Sequence, residues 1–335
     1  MTPMTAPEGP PTMTVVPMPF PRVAAYGEDI LAEVATVVVG MEEAVRTALS
    51  AILAGGHVLF EDVPGLGKTL TARTLATALG LDFRRLQCTP DLLPSDITGS
   101  SVFDPKLGDF EFRPGPVFTG LLLADEINRT APKTQSALLE AMAERQVTVD
   151  GVTRALQPPF HVIATSNPVE YEGTYPLPEA QLDRFMVRIA AGYPSREQEV
   201  DVVQRRLARK KEETSVRQVV EPGALASMQA GVEEIPVDPD ITGYCVDLVA
   251  ATRAHAAVEI GASPRGAISL VLVARARAAL AGRDFVTPED VKAIAVPVLA
   301  HRITLTAQSW ASGMSAQDVV RGLLSSVPTP ATARG

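Results

Sequence analysis

The chain has 335 residues, 46% of them hydrophobic but only 5% aromatic, and a net charge of −9. Such a length accommodates about two domains with buried cores, and the acidic balance argues against a general nucleic-acid-binding surface. No apolar run approaches a membrane span; Cys88 and Cys245 lie far apart without metal-ligand spacing, which, with no secretory signal at the start, points to a reducing, cytoplasmic setting.

Residues 1–22 are rich in Pro, Thr and Met, nearly uncharged and without periodicity, so a disordered tail is expected there. From Ala24 to Leu53 the apolar spacing suits helices broken around Val37-Val38-Val39-Gly40. His57-Val58-Leu59-Phe60 then reads as a strand, and Lys68 opens a helix that Gly80 would stop. Between them lies Glu61-Asp62-Val63-Pro64-Gly65-Leu66-Gly67-Lys68-Thr69, the layout of a phosphate-binding loop. Gly65 and Gly67 let the backbone turn successive N–H groups towards one anion, and the helix start adds its positive dipole end. Lys68 would neutralise the β- and γ-phosphates of a nucleotide, and the Thr69 hydroxyl would hold Mg2+. The strict pattern has glycine where Asp62 stands; that place is at the strand's end, away from the phosphates, and the departure reads as tolerated.

A short strand follows at 83–87, and residues 101–118 alternate around a Lys106-Leu107-Gly108-Asp109 turn, which suggests an inserted hairpin. Leu121-Leu122-Leu123-Ala124-Asp125-Glu126 is a buried strand ending in two carboxylates, followed by a helix from Pro132 to about Arg145. Asp150-Gly151 suits the type I′ turn of a second hairpin. Residues 160–165 form another core strand, ending at Ser166-Asn167-Pro168, and 186–189 the last one. Alternating strands and helices argue for an α/β, three-layer parallel sheet over 23–194. After Tyr193-Pro194 the pattern turns helical. Ser195 and Gln198 form a capping box before a basic helix whose charges read as a solvated face. Asp238-Pro239, Ser263-Pro264 and Thr287-Pro288 mark three further helix starts. An all-α second domain over 195–325 and a disordered tail over 326–335 complete the expectation.

The strand ends carry the chemistry, because ligands of parallel sheets bind at the carboxyl edge. Asp125 would complete the Mg2+ shell, and Glu126 would orient and deprotonate the attacking water. Asn167 ends the neighbouring strand, where an amide can hold that water or read the γ-phosphate. Arg184, just before the last strand, could supply positive charge to a neighbouring subunit's γ-phosphate. Arg265 sits in the first turn of a helix, where a cation is disfavoured unless an anion is near; it is a candidate phosphate contact from the second domain. His57, His161, His255 and His301 show no paired ligand spacing and read as structural or surface residues.

Together these residues resemble the AAA+ ATPase family over about 24–324. The run from Phe110 to Phe118, Leu123-Ala124-Asp125-Glu126-Ile127-Asn128-Arg129, Ala164-Thr165-Ser166-Asn167-Pro168, Leu182-Asp183-Arg184-Phe185 and Ser263-Pro264-Arg265 resemble its MoxR branch. The resemblance implies that Pro64, Gly65, Leu66, Gly67, Lys68, Thr69 and Leu70 belong to the Walker A site, and Asp125 and Glu126 to Walker B. Asn167 would be sensor 1, Arg184 an arginine finger acting in trans, and Arg265 sensor 2. Val39 and Gly40 match the segment lining the adenine pocket, with Met41 where relatives often carry glutamine. The hairpins match the helix-2 insert and the pre-sensor insert. The family implies a hexameric ring that uses ATP and Mg2+ for chaperone-like remodelling of a partner with a von Willebrand factor A domain. The alternatives are a motor subunit of a magnesium-chelatase-like or DNA-remodelling complex, and a nucleotide-gated scaffold with little turnover.

Overall fold

A computed structural model describes residues 15–168, 173–211 and 214–331. Two helices lead in, α1 (Phe20–Ala35) and α2 (Glu42–Leu53). Strand β1 (Val58–Glu61) feeds the glycine turn and α3 (Lys68–Ala78), and β2 (Phe83–Gln87) follows. Helix α4 (Pro94–Thr98) and the hairpin β3 (Gly99–Asp104) and β4 (Asp109–Pro114) precede β5 (Leu121–Asp125). Helix α5 (Pro132–Glu144) leads to the second hairpin, β6 (Gln146–Val149) and β7 (Val152–Ala155). Then come β8 (His161–Ser166), α6 (Glu179–Leu182) and β9 (Val187–Ile189).

The five core strands are parallel, in the spatial order β2-β5-β8-β1-β9. Both β5 and β8 are buried along their whole length, which is why they read as apolar runs rather than as alternation. Their residues still divide by face. Leu121, Leu123 and Ile163 join Val58 and Phe60 in a core shared with α1, α2 and α3. Leu122, Ala124, Val162 and Ala164 join Leu59 in a second core against α5 and Phe185. At one edge β2 exposes Arg84, Arg85 and Gln87; at the other, β9 is only 3 residues long. Asp150 and Gly151 have φ of 53° and 78°, the left-handed pair that a type I′ hairpin requires.

The second half holds α7 (Arg196–Arg209), α8 (Ala224–Glu233), α9 (Pro239–Ala254), β10 (Val258–Ile260), α10 (Pro264–Leu280), α11 (Pro288–Leu299), β11 (Thr304–Leu305), α12 (Ala307–Ala311) and α13 (Ala316–Ser326). Ser195 caps α7 with the expected box, while Asp238, Ser263 and Thr287 accept N–H bonds at the starts of α9, α10 and α11. Helix α7 has no buried residue, as a solvated face requires. Two features depart from the sequence reading. The helical half contains an antiparallel ribbon, β10 with β11. Its core is also continuous with that of the sheet: Leu270, Val273 and Ile294 belong to the cluster that holds Val58 and Phe60. Helix α1 reaches α10 at Gly27, where a Cβ would stand 2.2 Å from Leu280 Cδ2.

The expected tail over residues 1–22 needs a correction at its end. Met18 is buried and its N–H donates to the Ser227 carbonyl at 2.8 Å, against α8, and α1 starts at Phe20. The Met18 backbone lies directly against Gly231, where a Cβ would not fit, and this contact with the buried side chain orders the stretch; residues 1–14 lie outside the described residues. At the other end Val327 still packs on the core, and residues 332–335 lie outside the described residues.

Candidate nucleotide site

The turn after β1 begins with the residue that the strict pattern lacks. Asp62 is buried, and its carboxylate accepts three backbone N–H groups: Val63 at 2.9 Å, and Ala191 and Gly192 at 2.7 Å each. The departure is thus not a passive one. The side chain fastens the phosphate loop to the strand-exit segment that leads from β9 into α7, a bond set that glycine cannot make. In the loop itself Gly65 and Gly67 have φ of 86° and 78°, angles that disfavour other residues. A Cβ on either would meet no atom within 4 Å, so the concavity they frame is open. Helix α3 starts at Lys68, whose Nζ donates to the Asp62 carbonyl at 2.5 Å. Burial holds the Lys68 ammonium below its ordinary pKa, against the opposing pull of Asp62, Asp125, Glu126 and Glu61.

Across the sheet, the two acids of β5 part company. Asp125 stays on the strand. Its Oδ1 accepts from Thr165 Oγ1 at 2.6 Å, and its Oδ2 from Thr69 Oγ1 at 3.2 Å and Arg85 Nη2 at 2.6 Å. Burial raises its pKa, but the bonds from Thr165 and Arg85, the Arg85 charge and the Thr69 bond outweigh that and hold it below the usual carboxylate range. Glu126 takes a left-handed conformation, φ 59° and ψ 49°, which turns its side chain out of the strand's alternation. Its N–H donates to Thr165 Oγ1 at 2.8 Å, and its Oε2 accepts from Gln87 Nε2 at 2.8 Å and lies 3.3 Å from Arg129 Nε. The hydroxyl and carboxylate oxygens of Thr69 and Asp125 are hard donors that fit Mg2+, next to a cradle that fits phosphate.

Lys68, Thr69, Asp125 and Glu126 therefore meet at one place. Asn167 is buried at the end of β8, between β1 and β5, and its carbonyl accepts from Asn128 Nδ2 at 3.3 Å. Beside the loop, a cavity of about 560 Å3 is walled by Val39 and Met41, by Pro64, Leu66 and Leu70, and by Tyr193, Val202 and Val203. Its apolar lining suits the flat face of a base. Gly40 is not on that wall; it forms the tight turn (φ 78°) behind it, against Gln198. Among the described residues no hydrogen bond or ion pair joins Arg184 or Arg265 to the phosphate loop. Arg265 opens α10 with its side chain 70% exposed and its Nη1 3.8 Å from Asp183 Oδ2, one residue from Arg184. Arg184 makes no ion pair among the described residues.

Thr165, Arg85 and Gln87 were not singled out from the sequence. Arg85 and Gln87 alternate along a strand, but only the pairing of β2 with β5 aims them at the carboxylates. His57 and His161 are buried with ring centroids 6.4 Å apart, and no group of His, Cys, Asp or Glu among the described residues is arranged to hold a metal ion. Cys88 and Cys245 are both buried and unbridged.

Residues 57–187 match the family described as "ATPase family associated with various cellular activities (AAA)", and residues 250–323 match the AAA lid domain. The chain is 48% identical to the uncharacterized protein YeaC of Bacillus subtilis, over 91% of this chain and 98% of that protein. It is 40% identical to the protein named chaperone MoxR1 of Mycobacterium tuberculosis, over 90% of this chain and 82% of that protein. A crystal structure of an ATPase candidate from Cytophaga hutchinsonii superposes with a TM-score of 0.86 at 41% identity, covering 93% of this chain and 97% of its own.

Proposed function

The chain belongs to the MoxR branch of the AAA+ ATPases, and on that premise we propose that it hydrolyses ATP in a hexameric ring to remodel a partner protein, one carrying a von Willebrand factor A domain. The observation that carries the reading is the meeting of Lys68, Thr69, Asp125 and Glu126 beside an open glycine cradle. Residues 23–194 form the ATPase core in this reading, and 195–325 the lid. The base lies in the apolar cavity beside Val39, and the loop N–H groups and Lys68 bind the phosphates. Thr69 and Asp125 would hold Mg2+, which neutralises phosphate charge. Glu126 orients the attacking water and takes its proton, with Gln87 and Arg129 fixing its carboxylate. Asn167 positions the same water, Arg265 reads the γ-phosphate from the lid, and Arg184 serves the next subunit's site.

The exposed apolar side chains of the first hairpin, Phe103, Leu107 and Phe110, support client contact through the inserts. The name of the Mycobacterium tuberculosis relative supports the chaperone reading. The net charge of −9 weighs against DNA as the client. No helix among the described residues is long and apolar enough to cross a membrane, and we place the protein in the cytoplasm.

The test uses Glu126→Gln, loaded with ATP and recovered from lysate of the source cells. A bound protein with a von Willebrand factor A domain is the expected result. Nucleic acid or a chelatase-like subunit in its place would favour the alternative motor reading. ATP binding by the wild type without phosphate release would make the chain a nucleotide-gated scaffold.

A further inference from the structure

The segment that carries Arg184 is gripped from the helical half of its own chain. Arg302 follows α11, and its side chain is 2% exposed. Its Nη1 donates to Asp183 Oδ1, and its Nη2 to the Phe185 carbonyl at 2.9 Å, so one guanidinium holds both neighbours of Arg184. The same guanidinium is fixed to the lid: Nε donates to the Val298 carbonyl at 2.8 Å and Nη2 to Ser269 Oγ at 3.2 Å. His301 Nε2 stands 3.0 Å from the Phe185 carbonyl, and Thr304 Oγ1 donates to Glu179 Oε1 at the start of α6. Ser269 lies one turn along the helix that Arg265 opens, and Arg265 reaches the other oxygen of Asp183 at 3.8 Å.

We infer that Arg302 is the positioning residue of Arg184, tying the segment that carries it to the lid of its own subunit. The two contacts on Asp183 differ in kind. Arg302 is buried and tied at several points in a planar fork, so that contact is rigid. Arg265 is exposed and single-pronged, so that contact is weak and easily given up. When Arg265 is drawn to a phosphate, Asp183 loses the weaker cation and keeps the stronger. Phe185 is itself buried in the core it shares with Leu59 and α5, so the Arg302 fork braces the segment between sheet and lid. The inference rests on the trans role of Arg184 proposed above.

Mixed rings test it. Arg302→Lys keeps the charge but cannot fork to both neighbours of Arg184. It should lower steady-state phosphate release about 10- to 100-fold, the usual cost of misplacing a reacting group by about 1 Å, with the affinity for a fluorescent ATP analogue unchanged within about twofold. Adding Glu126→Gln subunits, inactive themselves but with an intact Arg184, should restore turnover per Arg302→Lys subunit. A lid weakened only structurally would not be rescued in this way. Arg184→Ala mixed with Glu126→Gln is the control. Rescue of Arg184→Ala but not of Arg302→Lys, or undiminished turnover by Arg302→Lys, overturns the inference and leaves the trans reading intact. Failure to rescue Arg184→Ala overturns the trans reading and the inference with it. Should Arg302→Lys not fold, as judged by circular dichroism, Asp183→Asn takes its place with the same expected rescue and the same refuting results.

Discussion

Asp62 offers the sharpest test of the fold's connection to the site. Replacing it with alanine strips the acceptor from the Ala191 and Gly192 N–H groups, each at 2.7 Å, and from Val63 at 2.9 Å. A hydrogen bond to a charged acceptor contributes about 1.5–3 kcal/mol. The Val63 group lies next to solvent-accessible loop and can be rehydrated, so the two longer-range bonds set the scale. Allowing for water that enters the vacated space, the loss should be about 3 kcal/mol. Asp62→Asn should fall between, because its one carbonyl oxygen can serve the Ala191–Gly192 pair while its amide faces the Val63 N–H. Asp62→Gly, which restores the strict loop pattern, should be no better than alanine. Urea unfolding followed by circular dichroism, with the midpoint and slope compared across the three variants, measures this directly. Lys68 bonds to the Asp62 main-chain carbonyl, so nucleotide affinity should fall less than stability does. An Asp62→Ala protein within about 0.5 kcal/mol of wild type, inside the usual scatter of neutral substitutions, would refute the reasoning.

Three other expectations follow from the same geometry. Glu126→Gln should cut phosphate release about 100- to 10,000-fold, the range for losing a general base, while equilibrium binding of ATP persists; equal turnover would remove Glu126 from the chemistry. Burial, with the neighbouring His161 charge, lowers the pKa of His57 to about 3, and burial lowers that of His161 to about 4. Unfolded histidines take up protons near the usual 6.5. The unfolded chain therefore holds more protons between these values, and stability is complete above about pH 6.5 and lost as pH falls, at about 1.4 kcal/mol per pH unit for each histidine. Urea midpoints at pH 7, 6 and 5 should decline, and His57→Gln with His161→Gln should flatten the decline; an unchanged slope would count against it. Gly231→Ala would set a Cβ 2.0 Å from the Met18 carbonyl and should release the segment before α1, seen as new proteolytic cleavage ahead of Phe20.

What was legible from the chain alone was what is local. The glycine turn, the run ending in Asp125 and Glu126, the Asp150-Gly151 hairpin and the capped prolines each declare themselves within a few residues. Arg85 and Gln87 could not, because their meaning depends on β2 lying beside β5 rather than beside β1. Arg302 was hidden for the same reason: it is 119 positions from Asp183, and nothing nearby marks it as buried. Asp62 read only as a tolerated departure because a motif records just what touches the ligand. Two of its three partners are amides far along the chain. Met18 was misjudged because composition averages over a tail and misses a single anchor.

The sheet's borders have a consequence for how copies of this chain can meet. A free strand edge is an invitation to pair with another chain and to aggregate. Here one edge strand exposes the long charged side chain of Arg84, and the other ends after 3 residues. Neither can template a growing cross-strand ladder. Association between copies is thereby channelled away from indefinite sheet extension and towards contacts of faces and loops, whose geometry can close on itself.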